Sequence, residues 1–209
     1  MDLYFFDFDK TLYAYNFRKR LPALSQFTGA SQYHLAKTWW AGGFERRAEA
    51  GEWNTSEAYL AQFERVTGVQ LTLQDWQRAR ALASTPIPQS VAALALASTL
   101  GVVSLLSNNP SPFAESLPVL APDVTAIVGE NRLVSCQLGI RKPDPRVYRL
   151  ALDHYGARAG DCFFADDSAE NIAGAASVGI MGHHLRYVGG VPQVAELHEA
   201  IERFANRKN

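Results

Sequence analysis

The sequence predicts an α/β fold in which a mainly parallel sheet is flanked by helices and a helical block is inserted after the first strand. Short, wholly apolar runs recur along the chain, and helical segments lie between several of them. Strands that alternate with helices in this way form parallel sheets. One stretch near the N-terminus differs, because it carries several helical patterns and no convincing strand.

The predicted strands are apolar runs without polar alternation, a pattern typical of strands that helices bury on both faces. The first run, residues 3–6, is rich in aromatic side chains and ends in acidic residues. The later runs are residues 102–106, 126–128, 162–165 and, with a weaker pattern, 180–185.

Two helices of the sheet-forming part carry clear boundary signals. Asp144 and Pro145 supply an N-cap and a first helical residue, and Gly156 supplies a stop. A last amphipathic segment opens at Pro192. Its apolar residues recur along one side, at Val194, Leu197, Ile201 and Phe204.

The stretch 14–88 is interpreted as a helical cap. Asn54 and Thr72 each precede an acidic residue by three positions, which resembles the capping box at a helix start. Apolar residues then follow both at helical spacing. Residues 1–13 and 89–209 are interpreted as the core that carries this cap.

Aromatic residues surround a glycine pair inside the predicted cap. Trp39, Trp40 and Phe44 flank Gly42 and Gly43, where a helix is expected to break. Because aromatic stripes at helical spacing usually pack, these side chains are interpreted as the interior of the cap rather than as substrate contacts.

Length, charge and cysteine content narrow the class of protein. The chain has 209 residues and a formal net charge of -1, so nothing global attracts nucleic acid or an anionic membrane. The basic runs at 18–20 and 46–47 are interpreted as solvated helix faces.

Two cysteines without metal-ligand spacing indicate a reducing compartment. No apolar run approaches the ~20 residues of a membrane span. We expect a cytoplasmic protein that binds neither nucleic acid nor a membrane.

The first chemical signal directly follows the first strand, in the sequence Asp7-Phe8-Asp9-Lys10-Thr11. Ligands of a parallel sheet bind at the carboxyl ends of its strands. Side chains alternate along a strand, so Asp7 and Asp9 start on the same side. Two such carboxylates repel unless a cation or a proton lies between them, and Mg²⁺ suits oxygen ligands. For this pair alone, an acidic turn facing solvent is an equally good interpretation.

Three further signals lie at predicted strand ends or helix starts. Ser107 and Asn108 end an apolar run, where a hydroxyl and an amide can bind phosphate oxygens, although both are also ordinary turn residues. Lys142 lies just before a helix start, where a cation can hold a phosphoryl group, although a lysine in a surface loop is the better interpretation of that stretch alone. Asp166 and Asp167 end another apolar run. Two acidic strand ends in one sheet, with a serine and a lysine between them in sequence, indicate an active site.

These residues resemble, in order, the motifs of the haloacid dehalogenase superfamily of hydrolases. The matching stretches are Asp7-Phe8-Asp9-Lys10-Thr11, Leu106-Ser107-Asn108, Lys142-Pro143 and Asp166-Asp167. The resemblance covers essentially the whole chain and implies a Rossmann-like core with a helical cap after the first strand. The cap and several local stretches are also similar to sugar-phosphate phosphatases of the glucose-1-phosphatase type and to the phosphatase domain of soluble epoxide hydrolases.

The resemblance implies a role for each of these residues. Asp7 would be the nucleophile that becomes an aspartyl phosphate, and Asp9 would protonate the leaving oxygen and then deprotonate the attacking water. With these two, Lys142 would be catalytic. The residues expected to bind phosphate are Ser107, Asn108 and Lys142. Those expected to hold Mg²⁺ are the Asp7 side chain, the Asp9 backbone carbonyl and the Asp167 side chain. Those expected to support the site are Thr11, Asp166 and Asn171.

The implied activity is a Mg²⁺-dependent phosphatase acting on a small phosphorylated metabolite, a sugar phosphate or a nucleotide, as a monomer or homodimer. Asp9 favours phosphoryl transfer, because the dehalogenases that name the superfamily generally lack this second aspartate. A phosphomutase on the same core and a non-catalytic phosphate-binding relative stay open as alternatives. Lys10 departs from the family pattern, since many members have glycine there.

Overall fold

A computed structural model describes residues 2–208 and confirms the predicted α/β fold. The strands are β1 (Leu3–Phe6), β2 (Tyr13–Tyr15), β3 (Ser84–Pro86), β4 (Val102–Ser107), β5 (Arg132–Val134), β6 (Cys162–Asp166), β7 (Met181–His184), β8 (Tyr187–Val188) and β9 (Val191–Pro192). The helices are α1 (Phe17–Thr28), α2 (Gln32–Leu35), α3 (Phe44–Glu49), α4 (Ser56–Thr67), α5 (Leu73–Ala83), α6 (Pro88–Leu100), α7 (Ser111–Leu120), α8 (Pro122–Val128), α9 (Ser135–Leu138), α10 (Pro145–Tyr155), α11 (Ala169–Ala176) and α12 (Val194–Asn206). A π-helical turn, Ala36–Trp40, continues α2, and a 3₁₀ turn, Ala159–Asp161, precedes β6.

The central sheet has five parallel strands in the order β5-β4-β1-β6-β7. β1 lies in the middle, where Phe6 is paired with Leu105 of β4 and with Ala165 of β6. All four residues of β1 are buried, which explains its continuous apolar pattern. Because the strands are parallel and in this register, β1, β4 and β6 end at one edge of the sheet.

Two layers of helices cover the sheet. Phe5 faces the layer that contains α10 and α11, and Tyr4 faces the layer that contains α6, α7, α8 and α12. The predicted boundaries of α10 are confirmed, since Asp144 caps its first turn through the backbone N–H of Arg146 and Gly156 ends it. In α12 the four predicted apolar residues are all buried. The amphipathic pattern of these helices therefore fixes which side of each faces the sheet.

One predicted strand is wrong. Residues 126–128 belong to α8, which has Pro122 in its first turn and Gly129 after its last residue. The actual neighbour of β4 is β5, which begins at Arg132. A three-residue apolar run fits a strand and a helix equally well, and the flanking proline and glycine were the signals that favoured a helix.

Helices α1 to α5 lie between β2 and β3, and these two short strands pair antiparallel. The sequence showed no convincing strand in this stretch, because strands of three residues are too short to give a periodic pattern. Thr72 caps α5 as predicted, whereas the cap of α4 is Thr55 rather than Asn54. The limits of the predicted cap, 14–88, stay a prediction.

The aromatic residues of this insertion form its interior, as predicted. Trp39 is buried, and its ring packs against Phe44 and Tyr59. The basic run at 46–47 is exposed, but Arg20 is buried, which corrects its assignment to a solvated face. Its guanidinium lies 3.5 Å from Glu45, which is itself buried. Because Glu45 supplies a buried carboxylate, the charge of Arg20 is paired in the interior.

The insertion packs tightly on the rest of the chain. Helices α4 and α5 contact α7, and one apolar cluster contains Trp76 of the insertion together with Phe8 and Phe113. Gly51 has φ +85°, and a methyl group there would come within 2.7 Å of the carbonyl oxygen of Cys136. Only glycine fits this conformation and this close approach.

Both cysteines, Cys136 and Cys162, are buried free thiols. Within residues 2–208, no helix is long and apolar enough to cross a bilayer. The cytoplasmic location stays a prediction.

An ion-pair cluster joins the two ends of the chain, and its contribution to the free energy of unfolding should depend on pH. Asp2 accepts hydrogen bonds from Arg207 at 2.8 and 2.9 Å, and these bonds lower the pKa of Asp2 to about 2. We expect Asp2→Asn to lower the free energy of unfolding at pH 7 by about 1 kcal/mol. Because the folded pKa lies below the ordinary value of 3.8, this difference should shrink as the pH falls from about 4 towards 2.

Urea unfolding of both proteins at pH 7, 5 and 3 measures this difference. Asp153→Asn is the matched control, since Asp153 is exposed. If the difference in the free energy of unfolding stayed constant from pH 7 to pH 3, it would contradict the lowered pKa of Asp2.

Candidate active site

The polar residues predicted from the sequence meet at the edge where β1, β4 and β6 end. The backbone N–H of Asp7 donates to the carbonyl oxygen of Ala165 at 2.9 Å, which continues the ladder between β1 and β6. Asp7 therefore lies beside Asp166, and Ser107 ends the strand on the other side of β1. Parallel pairing alone brings these three residues together, although they are far apart in sequence.

Lys142 lies at the centre of this edge. Its Nζ donates to Asp7 Oδ1 at 2.8 Å and to Asp166 Oδ2 at 2.6 Å, and its side chain is only 1% exposed. Burial by itself would lower the pKa of Lys142, but the charges of Asp166 and Asp7 outweigh it and raise that pKa. Lys142 is thus an ammonium held between two carboxylates.

The side chain of Asn108 holds the loop that carries Lys142. Its Nδ2 donates to the Lys142 carbonyl oxygen at 3.0 Å, and its Oδ1 accepts from the Lys142 backbone N–H at 2.9 Å. The amide of Asn108 is therefore engaged with a peptide group, and its predicted contact with phosphate stays a prediction.

Asp7, Asp166 and Asp167 form an acidic cluster in which one carboxylate oxygen of each residue lies within 4.8 Å of the others. Burial, and then the charge of Asp166, raise the pKa of Asp7 to about 7, although Lys142 opposes the shift. Burial and Asp166 likewise raise the pKa of Asp167. One buried ammonium does not balance three carboxylates, so the donor set fits a hard divalent cation such as Mg²⁺.

Asp166 is saturated by contacts within the protein. Besides Lys142, it accepts from the Ser168 backbone N–H at 2.8 Å and from Asn171 Nδ2 at 3.0 Å. Ser168 also caps α11 by accepting from the Asn171 backbone N–H. These contacts suit a supporting role for Asp166 and Asn171 and leave Asp7 and Asp167 as the carboxylates available to a metal. Both roles stay predictions.

Asp9 stands apart from the acidic cluster. Its carboxylate accepts from Arg80 Nη2 at 2.6 Å and from Asn109 Nδ2 at 3.2 Å. The same Asn109 amide donates to Ser107 Oγ at 3.0 Å. Asn109 therefore links the second predicted motif to the first.

Arg80 was missed by the sequence analysis. It belongs to α5 of the insertion, and its side chain is 2% exposed between the rings of Tyr15 and Phe113, at 4.4 and 5.2 Å. A signal was available, because Arg80 follows Trp76 by four residues and so lies in the apolar stripe of α5. A charged residue at such a position needs a buried partner.

Thr11 is fully buried near the start of β2, and its hydroxyl has no hydrogen-bond partner among residues 2–208. Its predicted supporting role stays a prediction. Ser107 is 1% exposed, so its hydroxyl is shielded from solvent.

Lys10 adopts the left-handed conformation, with φ 58°. This backbone geometry favours glycine, since a Cβ is unfavourable in that region. The Lys10 Nζ lies 3.8 Å from Asp167 Oδ2, and the Tyr187 hydroxyl donates to the Lys10 carbonyl oxygen at 2.6 Å. The departure from glycine therefore adds a cation beside the acidic cluster.

A cavity of about 690 Å³ opens beside the acidic cluster. That volume is in the range of small-molecule sites, roughly 300–1,000 Å³. Its lining residues include Lys10, Tyr15, Asp167, His184, Arg186 and Tyr187.

The insertion also contacts the loop next to Lys142. Glu49 of α3 and Arg141 form an ion pair at 2.9 Å. Burial raises the pKa of Glu49 to about 7, while Arg141 opposes the shift.

Comparisons with known proteins identify the family of the chain. A sequence model described as haloacid dehalogenase-like hydrolase matches residues 1–179. Flavin mononucleotide hydrolase 1 of Arabidopsis thaliana is 42% identical over 48 residues, a segment that spans 23% of this chain and only 20% of that relative.

Two solved structures show the same fold at low sequence identity. A haloacid dehalogenase family enzyme from Bacteroides thetaiotaomicron, in complex with magnesium and inorganic phosphate, is 17% identical with a TM-score of 0.73, covering 88% of this chain and 93% of that chain. A predicted hydrolase of the same family from Porphyromonas gingivalis is 20% identical with a TM-score of 0.72, covering 88% and 90%.

The acidic cluster predicts that Mg²⁺ stabilises the folded protein. We expect Mg²⁺ at a hundredfold excess over its Kd to raise the unfolding temperature by about 5 °C or more, because a ligand that binds only the native state contributes about 2.7 kcal/mol at that excess. Asp167→Asn should lose most of this shift, since it removes one of the two available carboxylates. Differential scanning calorimetry with and without Mg²⁺ measures it, and Asp153→Asn is the control. Equal shifts for wild type and Asp167→Asn would place the metal elsewhere.

The conformation of Lys10 predicts a stabilising substitution. Lys10→Gly should raise the free energy of unfolding by about 0.5–1 kcal/mol, because glycine adopts φ 58° without steric cost. Lys10→Ala removes the same charge but keeps the Cβ, so it should give no such gain. Urea unfolding of the three proteins separates the two effects. The same gain from both variants would assign it to the lost charge instead.

Proposed function

Because the chain belongs to the haloacid dehalogenase-like hydrolases, we propose that it is a phosphatase that hydrolyses a small phosphorylated metabolite, with Asp7 as the nucleophile. One observation carries the proposal. Asp7 ends a buried strand with its carboxylate bound to the buried Lys142, and Asp9, two residues later, holds a second carboxylate outside the acidic cluster. This arrangement supplies a nucleophile and a separate acid–base group at one edge of the sheet.

In the first step, an Asp7 oxygen attacks phosphorus and the bond between phosphorus and the ester oxygen breaks. The electron pair of that bond goes to the leaving oxygen, which takes a proton from Asp9. In the second step, Asp9 takes a proton from water, the water oxygen attacks the phosphorus of the aspartyl phosphate, and inorganic phosphate and the Asp7 carboxylate result.

Lys142 and Ser107 act on the transferring group. The ammonium of Lys142 is held within hydrogen-bond distance of Asp7. It therefore offsets the negative charge that builds up when the Asp7 carboxylate approaches the phosphoryl group. The hydroxyl of Ser107 is kept at the same edge by Asn109. Mg²⁺, held by the side chains of Asp7 and Asp167 and the backbone carbonyl of Asp9, would supply the charge that lets an anionic nucleophile approach a phosphoryl group.

Several findings support a phosphomonoester substrate of small size. A structural relative binds magnesium and inorganic phosphate, and the short matched segment belongs to a flavin mononucleotide hydrolase. The insertion packs on α7, and we infer that a cap in this position excludes a bulky partner. A sugar phosphate or a nucleotide fits this description. Two properties stay predictions: that the protein is a monomer or a homodimer, and that it binds no nucleic acid.

The test is phosphate release from a panel of sugar phosphates, nucleotides and 4-nitrophenyl phosphate, with Mg²⁺ and with a chelator. We expect metal-dependent turnover by the wild type. Asp7→Asn should lower kcat by at least about 10⁴-fold, because it removes the nucleophile. Its folding is checked by circular dichroism and by its unfolding temperature.

Asp153→Asn is the matched control, because it makes the same chemical change at an exposed position. Turnover that survives Asp7→Asn would contradict the role of Asp7. Activity that appears only after addition of a bisphosphorylated sugar would favour the phosphomutase. Phosphate binding without turnover of any ester would favour the non-catalytic relative.

A further inference from the structure

We propose that Arg80 binds an anionic group on the leaving group of the substrate, so that the preferred substrates are phosphate esters carrying a carboxylate or a second phosphate close to the scissile oxygen. The proposal rests on the phosphatase function proposed above. It assigns a substrate class to that site and a specificity-determining role to a residue of the insertion.

Arg80 is a buried cation whose carboxylate partner is a catalytic group. Its hydrogen bonds to residues 2–208 all go to Asp9. Two other arginines have different partners: the buried Arg20 pairs with Glu45, and the partly exposed Arg141 pairs with Glu49. A buried guanidinium without an anion is strongly unfavourable, so Arg80 needs a counterion in every state of the enzyme.

The guanidinium of Arg80 has unused donors. Both contacts with Asp9 come from Nη2, whereas arginine offers five N–H donors on three nitrogens. The Arg80 Nε is buried and has no hydrogen-bond partner within the part of the chain that the structure describes. Carboxylates and phosphates are the ligands that occupy two guanidinium nitrogens at once. The unpaired Nε is therefore a donor that an incoming anion can use.

The distance between Arg80 and Asp9 limits where the anionic group of the substrate lies. A leaving oxygen that is hydrogen-bonded to Asp9 Oδ2 lies about 2.8 Å from it. Because Arg80 Nη2 is 2.6 Å from the same Oδ2, the leaving oxygen lies within about 5.4 Å of Nη2. A charged group two or three bonds beyond the leaving oxygen is then within reach of the guanidinium.

Substrate binding exchanges one partner of Arg80 for another. Both Asp9 oxygens contact Arg80, and Oδ2 also accepts from Asn109. To contact the leaving oxygen, Asp9 has to give up part of its contact with Arg80, while Asn109 still holds it in place. An anionic leaving group supplies the replacement counterion. A neutral leaving group does not, and that difference discriminates between the two kinds of ester.

The test compares matched pairs of esters that differ in one charge. The first pair is 2-phosphoglycolate and its neutral amide, and the second is ethylene glycol bisphosphate and 2-hydroxyethyl phosphate. The variants are Arg80→Met and Arg80→Lys. Arg78→Met is the matched control, because Arg78 lies on the same helix with its side chain 60% exposed. We measure kcat and KM separately for each ester, and the unfolding temperature of each variant.

We expect the wild type and Arg78→Met to prefer the anionic member of at least one pair by tenfold or more in kcat/KM. Arg80→Met should reduce that preference by at least tenfold, chiefly by raising KM for the anionic ester, and Arg80→Lys should restore part of it. The pair that shows the preference identifies the anion as carboxylate or phosphate.

A wild type that hydrolyses both members of each pair equally would overturn the proposal while leaving the phosphatase function intact, and this result needs no variant to fold. Equal losses on both members in Arg80→Met would also overturn it, since a structural role affects all esters alike. If no ester is hydrolysed in an Asp7-dependent way, the phosphatase function fails and this proposal falls with it.

Discussion

The position of one buried ammonium determines most of the site. Lys142 lies between Asp7 and Asp166, with hydrogen bonds of 2.8 and 2.6 Å and almost no exposure to solvent. A cation and two carboxylates buried together are tolerable only when their hydrogen bonds are satisfied, because the desolvation of each charge costs several kcal/mol. The strand register that places Asp7 beside Asp166, and the Asn108 amide that fixes the Lys142 loop, are therefore parts of one constraint.

A second constraint comes from the insertion. Its helix α5 brings Arg80 to Asp9, and its helix α3 brings Glu49 to Arg141, so two ion pairs join the insertion to the rest of the chain. The apolar cluster that includes Trp76 and Phe113 continues across the same boundary. The partners of Asp9 and Arg141 are thus fixed by packing at some distance from the sheet.

Sequence patterns predicted which residues gather at the sheet edge, and the same patterns failed in identifiable ways elsewhere. The apolar strand before Asp7 and the helix start after Asp144 are both present, because burial of whole strands and helix capping leave strong local signals. The run 126–128 was assigned to a strand, but it is the end of a helix, since three apolar residues carry no period of their own. Arg20 was assigned to the surface because a basic run shows charge but not the buried Glu45 that faces it.

The sequence by itself determined the α/β class, the order of the motifs and the residues gathered at the ends of the strands. These features depend on short-range patterns and on the rule that parallel strands end at one edge. Only the tertiary structure decided which charges meet. Arg80 and Asp9 are separated by 71 positions and the Asn108 amide reaches a peptide 34 positions away, and no local pattern encodes such contacts. The physical reason is that a buried charge selects its partner through the packing of whole elements, and that packing exists only after the chain has folded.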